Sequence, residues 1–305
     1  MKNILTMITL PEQGGLTVAD AERARVVLAG NNAEPGAADW LAAGTACDVP
    51  FSGLDHVSAQ TIVGKAFAEQ PIDIATQPAA GRRKRLLVAD MESTIIENEM
   101  LDELAEEFGL RDEISGITAR AMAGELDFES ALRARVAMLE GMSSSALDRA
   151  LTAIRIMPGA ATLVATMRAN GAYCALVSGG FDFFTGWVRN RVGFDYDQAN
   201  RLDVAGGMLT GTLRDPILGR AAKRRALDQL SENLGITPQD AITVGDGAND
   251  LDMLAASGTG VAFRAKPIVA EAARTRIDYG DLTALLYLQG YRIDEFQNRD
   301  SDTAI

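Results

Sequence analysis

Several polar residues occupy positions where a predicted strand ends or a predicted helix begins. Asp90 ends the apolar run RLLVAD, Ser178 ends the strand of AYCALVSGG, and Asp246 directly follows AITVG. Lys223 lies near the start of the helical segment AAKRRALDQLSENLG. Because ligands of open α/β sheets bind outside the carboxyl ends of the strands, these residues predict a single site.

The residue types at these positions suit phosphoryl transfer, which needs a nucleophile, a proton donor and positive charge near the phosphate. Asp90 can be the nucleophile, and Glu92 in the same loop can donate and recover protons. Lys223 supplies a point positive charge. The predicted hydrogen-bond donors to phosphate include the hydroxyls of Thr94 and Ser178. They also include the backbone amides of Met91–Thr94 and Gly179–Gly180.

The acidic residues also predict a metal site. Asp246 and Asp250 are one helical turn apart after a Gly-rich turn, and Asp90 completes a carboxylate-rich pocket. We predict Mg²⁺ as the cofactor, since it prefers oxygen ligands and retains waters. GDGAND lacks the acidic spacing and the closing Glu of a calcium loop. Taken singly, Asp90 also fits a helix N-cap and Lys223 a surface lysine, but their combined order at strand ends favours a site.

The composition excludes other chemistries. The only histidine, His56, lies far in sequence from the Gly-rich motifs. This disfavours a Ser-His-Asp mechanism and a histidine metal centre. Two cysteines, Cys47 and Cys174, make neither a disulfide framework nor a zinc cluster. The net charge of −13 disfavours nucleic-acid binding but is compatible with a small phosphorylated substrate in a locally positive site.

The hydropathy pattern predicts no membrane association. No stretch approaches the roughly 18 uninterrupted apolar residues of a membrane span. The N-terminal apolar run ends at Pro11 without a small-residue cleavage site, so it is interpreted as a strand and not as a signal peptide. These features predict a cytoplasmic protein.

The predicted elements divide the chain into a small α+β unit and a larger α/β unit. Alternating βα segments predict a doubly wound parallel sheet, and successive helical segments after Asp90 predict an inserted helical cap. The basic joint QPAAGRRKR between the units is interpreted as a solvated linker. The predicted boundaries are 1–80 for the α+β domain, 85–96 with 157–292 for the core, 97–156 for the cap, and 293–305 for a flexible tail.

Four motifs resemble those of the haloacid dehalogenase superfamily. They are DMEST at 90–94, SGG at 178–180, Lys223, and GDGANDLDML at 245–254, and the resemblance covers about residues 85–290. The helical insert is similar to the cap of the phosphoserine phosphatases in this superfamily. The resemblance implies a Rossmann-like core and Mg²⁺-dependent hydrolysis of O-phospho-L-serine to L-serine through an aspartyl phosphate.

The resemblance also implies a role for each matching residue of the core. Asp90 is the residue that becomes phosphorylated, and Glu92 transfers protons and offers its backbone carbonyl to Mg²⁺. Asp246 binds the metal directly and Asp250 supports the metal shell. The residues that bind the phosphate are Ser178, Gly179 and Lys223.

A second group of residues is implied to recognise the rest of the substrate. In the cap, Glu99 receives the ammonium, Arg135 receives the carboxylate, and Phe128 closes over the site. Asn249 orients the substrate or its loop. Spacing alone does not separate Arg133 from Arg135, and the resemblance favours Arg135.

One position departs from the family pattern, which usually has Asp where this chain has Glu92. The extra methylene moves the carboxyl by about 1.5 Å, which is large against the tolerance of a positioned acid. Hydrolysis could persist through a loop shift, turnover could slow, or another hydroxyl could accept the phosphate, as in a related phosphoserine:homoserine phosphotransferase that also carries Asp-x-Glu. Ser93–Thr94 and the long cap favour hydrolysis.

Other functions stay open at this point. The alternatives are a phosphatase of another small substrate and a non-catalytic amino-acid-binding regulator. The N-terminal unit resembles the degenerate ACT-like region that precedes some bacterial phosphoserine phosphatases. It could bind serine, form a homodimer interface, or do neither.

Overall fold

The computed structural model describes residues 1–122 and 125–297 of the chain. Residues 1–80 form an antiparallel sheet with strand order β2–β4–β1–β5, in which β3 also pairs with β4. The elements of this unit are β1 (Asn3–Ile8), α1 (Val18–Ala29), β2 (Glu34–Pro35), β3 (Asp39–Ala42), β4 (Ala46–Ser52), α2 (His56–Ala66) and β5 (Asp73–Pro78).

Local sequence signals account for both helices of this unit. Thr17 and Asp20 form a reciprocal capping box at the start of α1, and Asp55 accepts a hydrogen bond from the Ser58 N–H at the start of α2. Strand alternation divides the sheet into two apolar faces. Leu5 of β1 packs with the helices, whereas Ile8 packs with the second unit.

The second unit begins with one strand, followed by the inserted helices. These elements are β6 (Leu86–Ala89), α3 (Met100–Glu107), α4 (Arg111–Met122), α5 (Phe128–Ala137) and α6 (Ser145–Leu151). The chain then returns to alternating elements. They are α7 (Ala160–Ala169), β7 (Tyr173–Phe181), α8 (Asp182–Val188), β8 (Tyr196–Ala205), β9 (Met208–Arg214), α9 (Arg220–Asn233), β10 (Ala241–Gly245), α10 (Leu251–Ala256), β11 (Thr259–Phe263), α11 (Pro267–Ala272), β12 (Thr275–Ile277) and α12 (Ala284–Leu288).

The larger sheet has the strand order β12–β11–β10–β6–β7–β8–β9 over the described residues. All neighbours are parallel except the β8–β9 hairpin. The predicted α/β class is therefore confirmed. Val88 of the central strand pairs with Thr243 on one side and Ala175 on the other, so the strands carrying the predicted motifs are adjacent.

The predicted solvated linker is wrong for Arg82. Its side chain is only 12% exposed and contacts Asp48 of β4 at 2.6 Å, and it donates to the carbonyl oxygens of Tyr287 and Leu288 in α12. Neither group of partners is near in sequence, which explains why a local pattern of basic residues was misleading. The two units therefore share a buried polar contact as well as an apolar one.

The predicted flexible tail is wrong for its first residues. Ile293–Glu295 form a 3-10 turn, and the Phe296 ring lies 5.1 Å from the Tyr287 ring. The Gln297 N–H donates to the Thr166 hydroxyl at 2.9 Å. Aromatic packing therefore holds this segment on the core, and residues 298–305 lie outside the described part of the chain. None of the described helices is both long and apolar enough to cross a membrane.

Candidate active site

The predicted nucleophile lies at the carboxyl end of the central strand β6. The Asp90 N–H still donates to the Val244 carbonyl of β10, which fixes the backbone as the loop leaves the sheet. The two side-chain oxygens of Asp90 have different donors, the Met91 N–H at 2.7 Å and the Lys223 ammonium at 2.7 Å. A buried carboxylate that is held in one orientation beside a cation is suited to nucleophilic attack.

Lys223 is buried between two carboxylates. Its ammonium lies 2.7 Å from both Asp90 and Asp250, which come from different strand ends. Burial disfavours the ammonium, but the two carboxylates outweigh it and hold the pKa of Lys223 above its ordinary value. Gly245 is required here because a Cβ at that position would overlap the Asp250 carboxyl. The interpretation of Lys223 as a surface lysine is thus wrong.

Three of the predicted acids converge in one cluster. Oxygens of Asp90, Asp246 and Asp250 lie within 4.8 Å of one another, and all three residues are buried. Burial and the nearby Asp90 charge raise the pKa of Asp246, and the same causes raise the pKa of Asp250 to about 7. Clustered carboxylate oxygens with unfavourable mutual charge match the donor set of a hard dication.

The members of this cluster are not equivalent. One Asp250 oxygen accepts from Lys223 and the other accepts from the Gly247 N–H at 3.1 Å. Asp246 has weaker partners, the Thr94 hydroxyl at 3.5 Å and Lys266 at 3.4 Å. Asp246 is therefore better placed than Asp250 to offer an oxygen to a metal ion, while Asp250 fixes Lys223.

The Glu92 carboxyl lies against Gly180. It accepts a hydrogen bond from the Met100 N–H at 2.9 Å, at the start of the cap helix α3. A Cβ on Gly180 would lie 3.0 Å from the carboxyl, so glycine leaves the room that the longer acid needs. Burial, Glu99 and Asp90 raise the pKa of Glu92 to about 8. A carboxyl that holds its proton near neutral pH can act as a general acid.

The cap brings Glu99 to the edge of the same site. Its carboxylate accepts from the Ser93 hydroxyl at 2.7 Å. Ser93 has a φ of 54°, an uncommon left-handed conformation that turns the loop between the two acids. Glu99 is exposed at the edge of the site, but the surrounding protein partly desolvates its carboxyl and raises its pKa, against the effect of the Ser93 hydrogen bond and the Lys266 charge.

Lys266 was missed in the sequence-based prediction. It follows β11 and precedes Pro267, the first residue of α11, so it too stands between a strand end and a helix start. That position is the signal that could have found it. Its ammonium lies over Asp246, and the charges of Asp246 and Glu99 raise the pKa of Lys266 against its partial burial.

Two loops that contain glycine, one with Gly179 and one with Gly219, meet beneath the predicted cap residue Phe128; we call them the glycine loops. A Cβ on Gly179 would lie 3.3 Å from the Phe128 ring, and a Cβ on Gly219 would lie 3.1 Å from it. The amide of Asn249 is 3.8 Å from the same point on Gly179. The structure therefore brings Phe128, Asn249 and Gly179 together, with the buried Ser178 directly before them.

Several predicted phosphate-binding amides already have partners within the protein. The Met91 N–H donates to Asp90, the Thr94 N–H donates to the Met91 carbonyl, and the Gly180 N–H donates to the Ser178 hydroxyl. These amides shape the loops, because a backbone N–H is a single donor. In the structure these three amides bind protein groups, and their donation to phosphate stays a prediction.

The two cap arginines have different partners. Arg133 forms ion pairs with Glu129 and with Asp215. Arg135 donates through Nε to the Ala131 carbonyl at 3.3 Å and forms no ion pair with any described residue. Arg135 follows Phe128 by two helical turns, which places both on one side of α5. Among the described residues, no hydrogen bond or ion pair joins Arg135 to the Asp90 loop.

Comparisons with known proteins identify the family of the chain. Residues 87–255 match the haloacid dehalogenase-like hydrolase family, and the chain belongs to that family. It is 40% identical over 259 residues to the phosphoserine phosphatase of Streptomyces coelicolor, covering 84% of this chain and 63% of that protein. It is 41% identical over 223 residues to the phosphoserine phosphatase of Polaromonas sp., covering 71% and 94% of the two chains.

The fold has a close counterpart among solved structures. The structure of a HAD family hydrolase from Salmonella enterica subsp. enterica serovar Typhi matches with a TM-score of 0.81 at 28% identity, covering 94% of this chain and 98% of that one. The predicted superfamily resemblance is therefore confirmed. The chain spans less than two thirds of the length of three curated relatives that it matches, at 63%, 65% and 63%.

Proposed function

We propose that this protein is a Mg²⁺-dependent phosphatase that hydrolyses O-phospho-L-serine to L-serine and phosphate. The observation that carries the proposal is the buried contact of Asp90 with Lys223. The Glu92 carboxyl, whose pKa is raised by burial and by Glu99, lies in the same loop. The substrate is inferred from relatives that bear the name phosphoserine phosphatase, among them those of Streptomyces coelicolor and Polaromonas sp..

The proposed substrate has three charged groups, and the site offers a partner for each. Lys223, Ser178 and Gly179 bind the phosphate beside Asp90. Glu99 binds the ammonium at the cap edge, where Ser93 already orients its carboxylate. Arg135 receives the carboxylate, because Arg133 is paired with Glu129 and Asp215. Phe128 covers the phosphate end from above Gly179.

The proposed reaction has two displacements at phosphorus. Asp90 attacks in line, the bond from phosphorus to the serine oxygen breaks, and Glu92 donates its proton to that oxygen. Glu92 then removes a proton from water, which attacks the aspartyl phosphate and releases Asp90 and inorganic phosphate. Asp90 and Asp246 would hold Mg²⁺, with Asp250 supporting them. The metal supplies positive charge that offsets the charge on the phosphate oxygens.

The direct test is phosphate release from L-phosphoserine, D-phosphoserine and phosphothreonine, each with Mg²⁺ and with EDTA. We expect release from L-phosphoserine with Mg²⁺, loss of release in EDTA, and recovery when Mg²⁺ is added back. Homoserine is included as an acceptor, and formation of phosphohomoserine in place of free phosphate would identify a phosphotransferase. No release above background from any substrate would contradict the proposal.

Changing Glu92 tests the acid–base step. Glu92→Gln is expected to lower kcat by about 10²- to 10⁴-fold, the range of general acid–base catalysis, because the amide cannot donate or accept the proton. Glu92→Asp keeps a titratable group and is expected to lie within about tenfold of the parent kcat. The measurement is steady-state phosphate release at saturating substrate.

The matched control for this pair is Glu97→Gln. Glu97 lies in the same segment, but it is exposed and pairs with Arg155 at 2.9 Å. Its kcat is expected to stay close to that of the parent. Equal losses in Glu92→Gln and Glu97→Gln would show that Glu92 transfers no proton.

A further inference from the structure

Asn200 is a buried amide whose hydrogen bonds reach both glycine loops of the site. Its Nδ2 donates to the Gly179 carbonyl at 2.7 Å and to the Leu218 carbonyl at 3.3 Å. Its Oδ1 accepts from the Leu218 N–H at 2.7 Å. Only 1% of the residue is exposed, so water cannot replace these bonds.

The strand ladder explains why this amide is needed. The β7–β8 pairing runs to Val177 and Gln198, is interrupted, and resumes at Phe181 and Asn200. The interruption spans Ser178–Gly180 of β7, the segment that is predicted to bind phosphate. A bulge leaves polar backbone groups without ladder partners, and burial makes such groups costly. The Asn200 side chain binds the Gly179 carbonyl in this gap.

The second loop leads into the helix that carries Lys223. Leu218 and Gly219 directly precede α9, and Lys223 lies one turn into that helix. A Cβ on Gly219 would meet the Phe128 ring, as a Cβ on Gly179 would. A single side chain therefore sets the distance between the Gly179 loop and the start of the helix that carries the lysine.

The amide fits in one orientation only. The Leu218 N–H needs an acceptor, whereas the carbonyls of Gly179 and Leu218 need donors. A carboxylate has no donor to offer, and a hydroxyl is too short to reach both loops. The position therefore requires both the N–H donors and the oxygen acceptor of an amide side chain.

We propose that Asn200 is a positioning residue for phosphate binding, fixing the Gly179 loop against the first turn of the Lys223 helix. It touches neither Asp90 nor Glu92 among the described residues and takes no part in proton transfer. The inference rests on the proposed phosphatase function, since it assigns Gly179 and Lys223 to the phosphate. It goes beyond that function by separating the affinity for phosphate from the affinity for the amino-acid end.

The test compares inhibition by inorganic phosphate with inhibition by L-serine, both in Mg²⁺. Asn200→Asp replaces the donor facing two carbonyls with an acceptor of the same shape. We expect the inhibition constant for phosphate and the KM for L-phosphoserine to rise on the order of tenfold or more, by analogy with other small misplacements of binding groups. The inhibition constant for serine, bound at Glu99 and Arg135, is expected to stay within about twofold.

Two further variants separate positioning from folding. Asn200→Ser removes the amide but places no carboxylate against the two carbonyls. It is therefore expected to weaken phosphate affinity in the same direction by a smaller factor. Thr185→Val is the control, because Thr185 is buried and bonds Asp197 of the same strand β8, away from both loops. It is expected to lower Tm without changing the ratio of phosphate to serine inhibition.

The possible failures are distinguishable. If the parent protein neither hydrolyses L-phosphoserine nor is inhibited by phosphate, the proposed function fails. If the parent does both, and Asn200→Asp changes phosphate and serine inhibition by equal factors or changes neither, the role of Asn200 is overturned. If Asn200→Asp does not fold, the ratio of the inhibition constants for phosphate and serine is measured on Asn200→Ser instead, and the same criteria apply.

Discussion

Asp90→Asn is expected to lower turnover of L-phosphoserine by at least about 10⁴-fold, on the scale seen when a catalytic nucleophile is removed. The amide is nearly isosteric with the carboxylate but is a poor nucleophile, so no aspartyl phosphate forms. The measurement is kcat, together with mass spectrometry of acid-quenched enzyme. The parent should carry a covalent phosphate on the peptide that contains Asp90, and the variant should not.

The fold is expected to tolerate this change, which makes the loss of activity interpretable. The carboxylates of Asp90, Asp246 and Asp250 lie close together and repel one another. Lys223 keeps its contact with Asp250 when Asp90 is replaced. Removing one of several like charges relieves repulsion. We therefore expect Asp90→Asn to unfold at the same temperature as the parent or higher when both are measured in EDTA.

Asp252→Asn is the matched control for the nucleophile. Asp252 lies near Asp250 in sequence, but its carboxylate is at the surface and pairs with Arg220. Its activity is expected to match that of the parent. Residual phosphoenzyme in Asp90→Asn and Asp90→Ala, with turnover above about one percent of the parent, would exclude Asp90 as the nucleophile.

Arg82→Met is expected to lower the free energy of unfolding by about 3–5 kcal/mol, the cost of breaking a buried ion pair from one side. The variant leaves the Asp48 carboxylate buried with the Thr6 hydroxyl as its main partner. It also removes the donors that bind the carbonyls of Tyr287 and Leu288 at the end of α12. The measurement is equilibrium urea unfolding of the parent and the variant.

The pH dependence of this loss follows from Asp48. Burial already raises the pKa of Asp48 above its usual value, although the Arg82 hydrogen bond and charge oppose the effect. Without Arg82 the pKa rises further, so the folded variant binds a proton more tightly than the unfolded chain does. Stability of the variant relative to the parent is therefore expected to recover as the pH falls through that pKa.

Two controls define the buried pair. Arg83 is the next residue and pairs with Glu295 at the surface, so Arg83→Met is expected to cost no more than about 1 kcal/mol. Asp48→Leu combined with Arg82→Met removes both charges and is expected to recover part of the loss. Equal small losses in Arg82→Met and Arg83→Met would show that Arg82 does not hold the two units together.

The Arg82 contact also bears on any regulatory role of the N-terminal unit. Removing residues 1–84 would delete Arg82 and expose the apolar face on which Ile8 and Ala75 pack with Tyr287. Such a truncation would change core stability together with any serine response. Serine inhibition of the full chain, compared between Arg82→Met and its control Arg83→Met, is the cleaner measurement.

Much of the site was predictable from the sequence because its parts are local to strand ends. Asp90, Ser178 and Asp246 each end or follow an apolar run, and parallel strands bring their carboxyl ends to one edge of the sheet. The order of the motifs therefore determined the α/β core, the acid cluster and the neighbourhood of Lys223 without knowledge of any long-range contact.

Other features depend on partners that are distant in the chain. A run of arginines looks solvated until Asp48 and α12 bury Arg82. Glu92 looks misplaced until Gly180 is seen to leave room for its carboxyl. The contact of Asn200 with the Gly179 carbonyl depends on the interruption of the β7–β8 ladder, which local spacing does not predict. Residue types and local spacing thus determined the chemistry centred on Asp90. Only the tertiary structure decided which charges are buried and which loops are held, because burial depends on packing between remote segments.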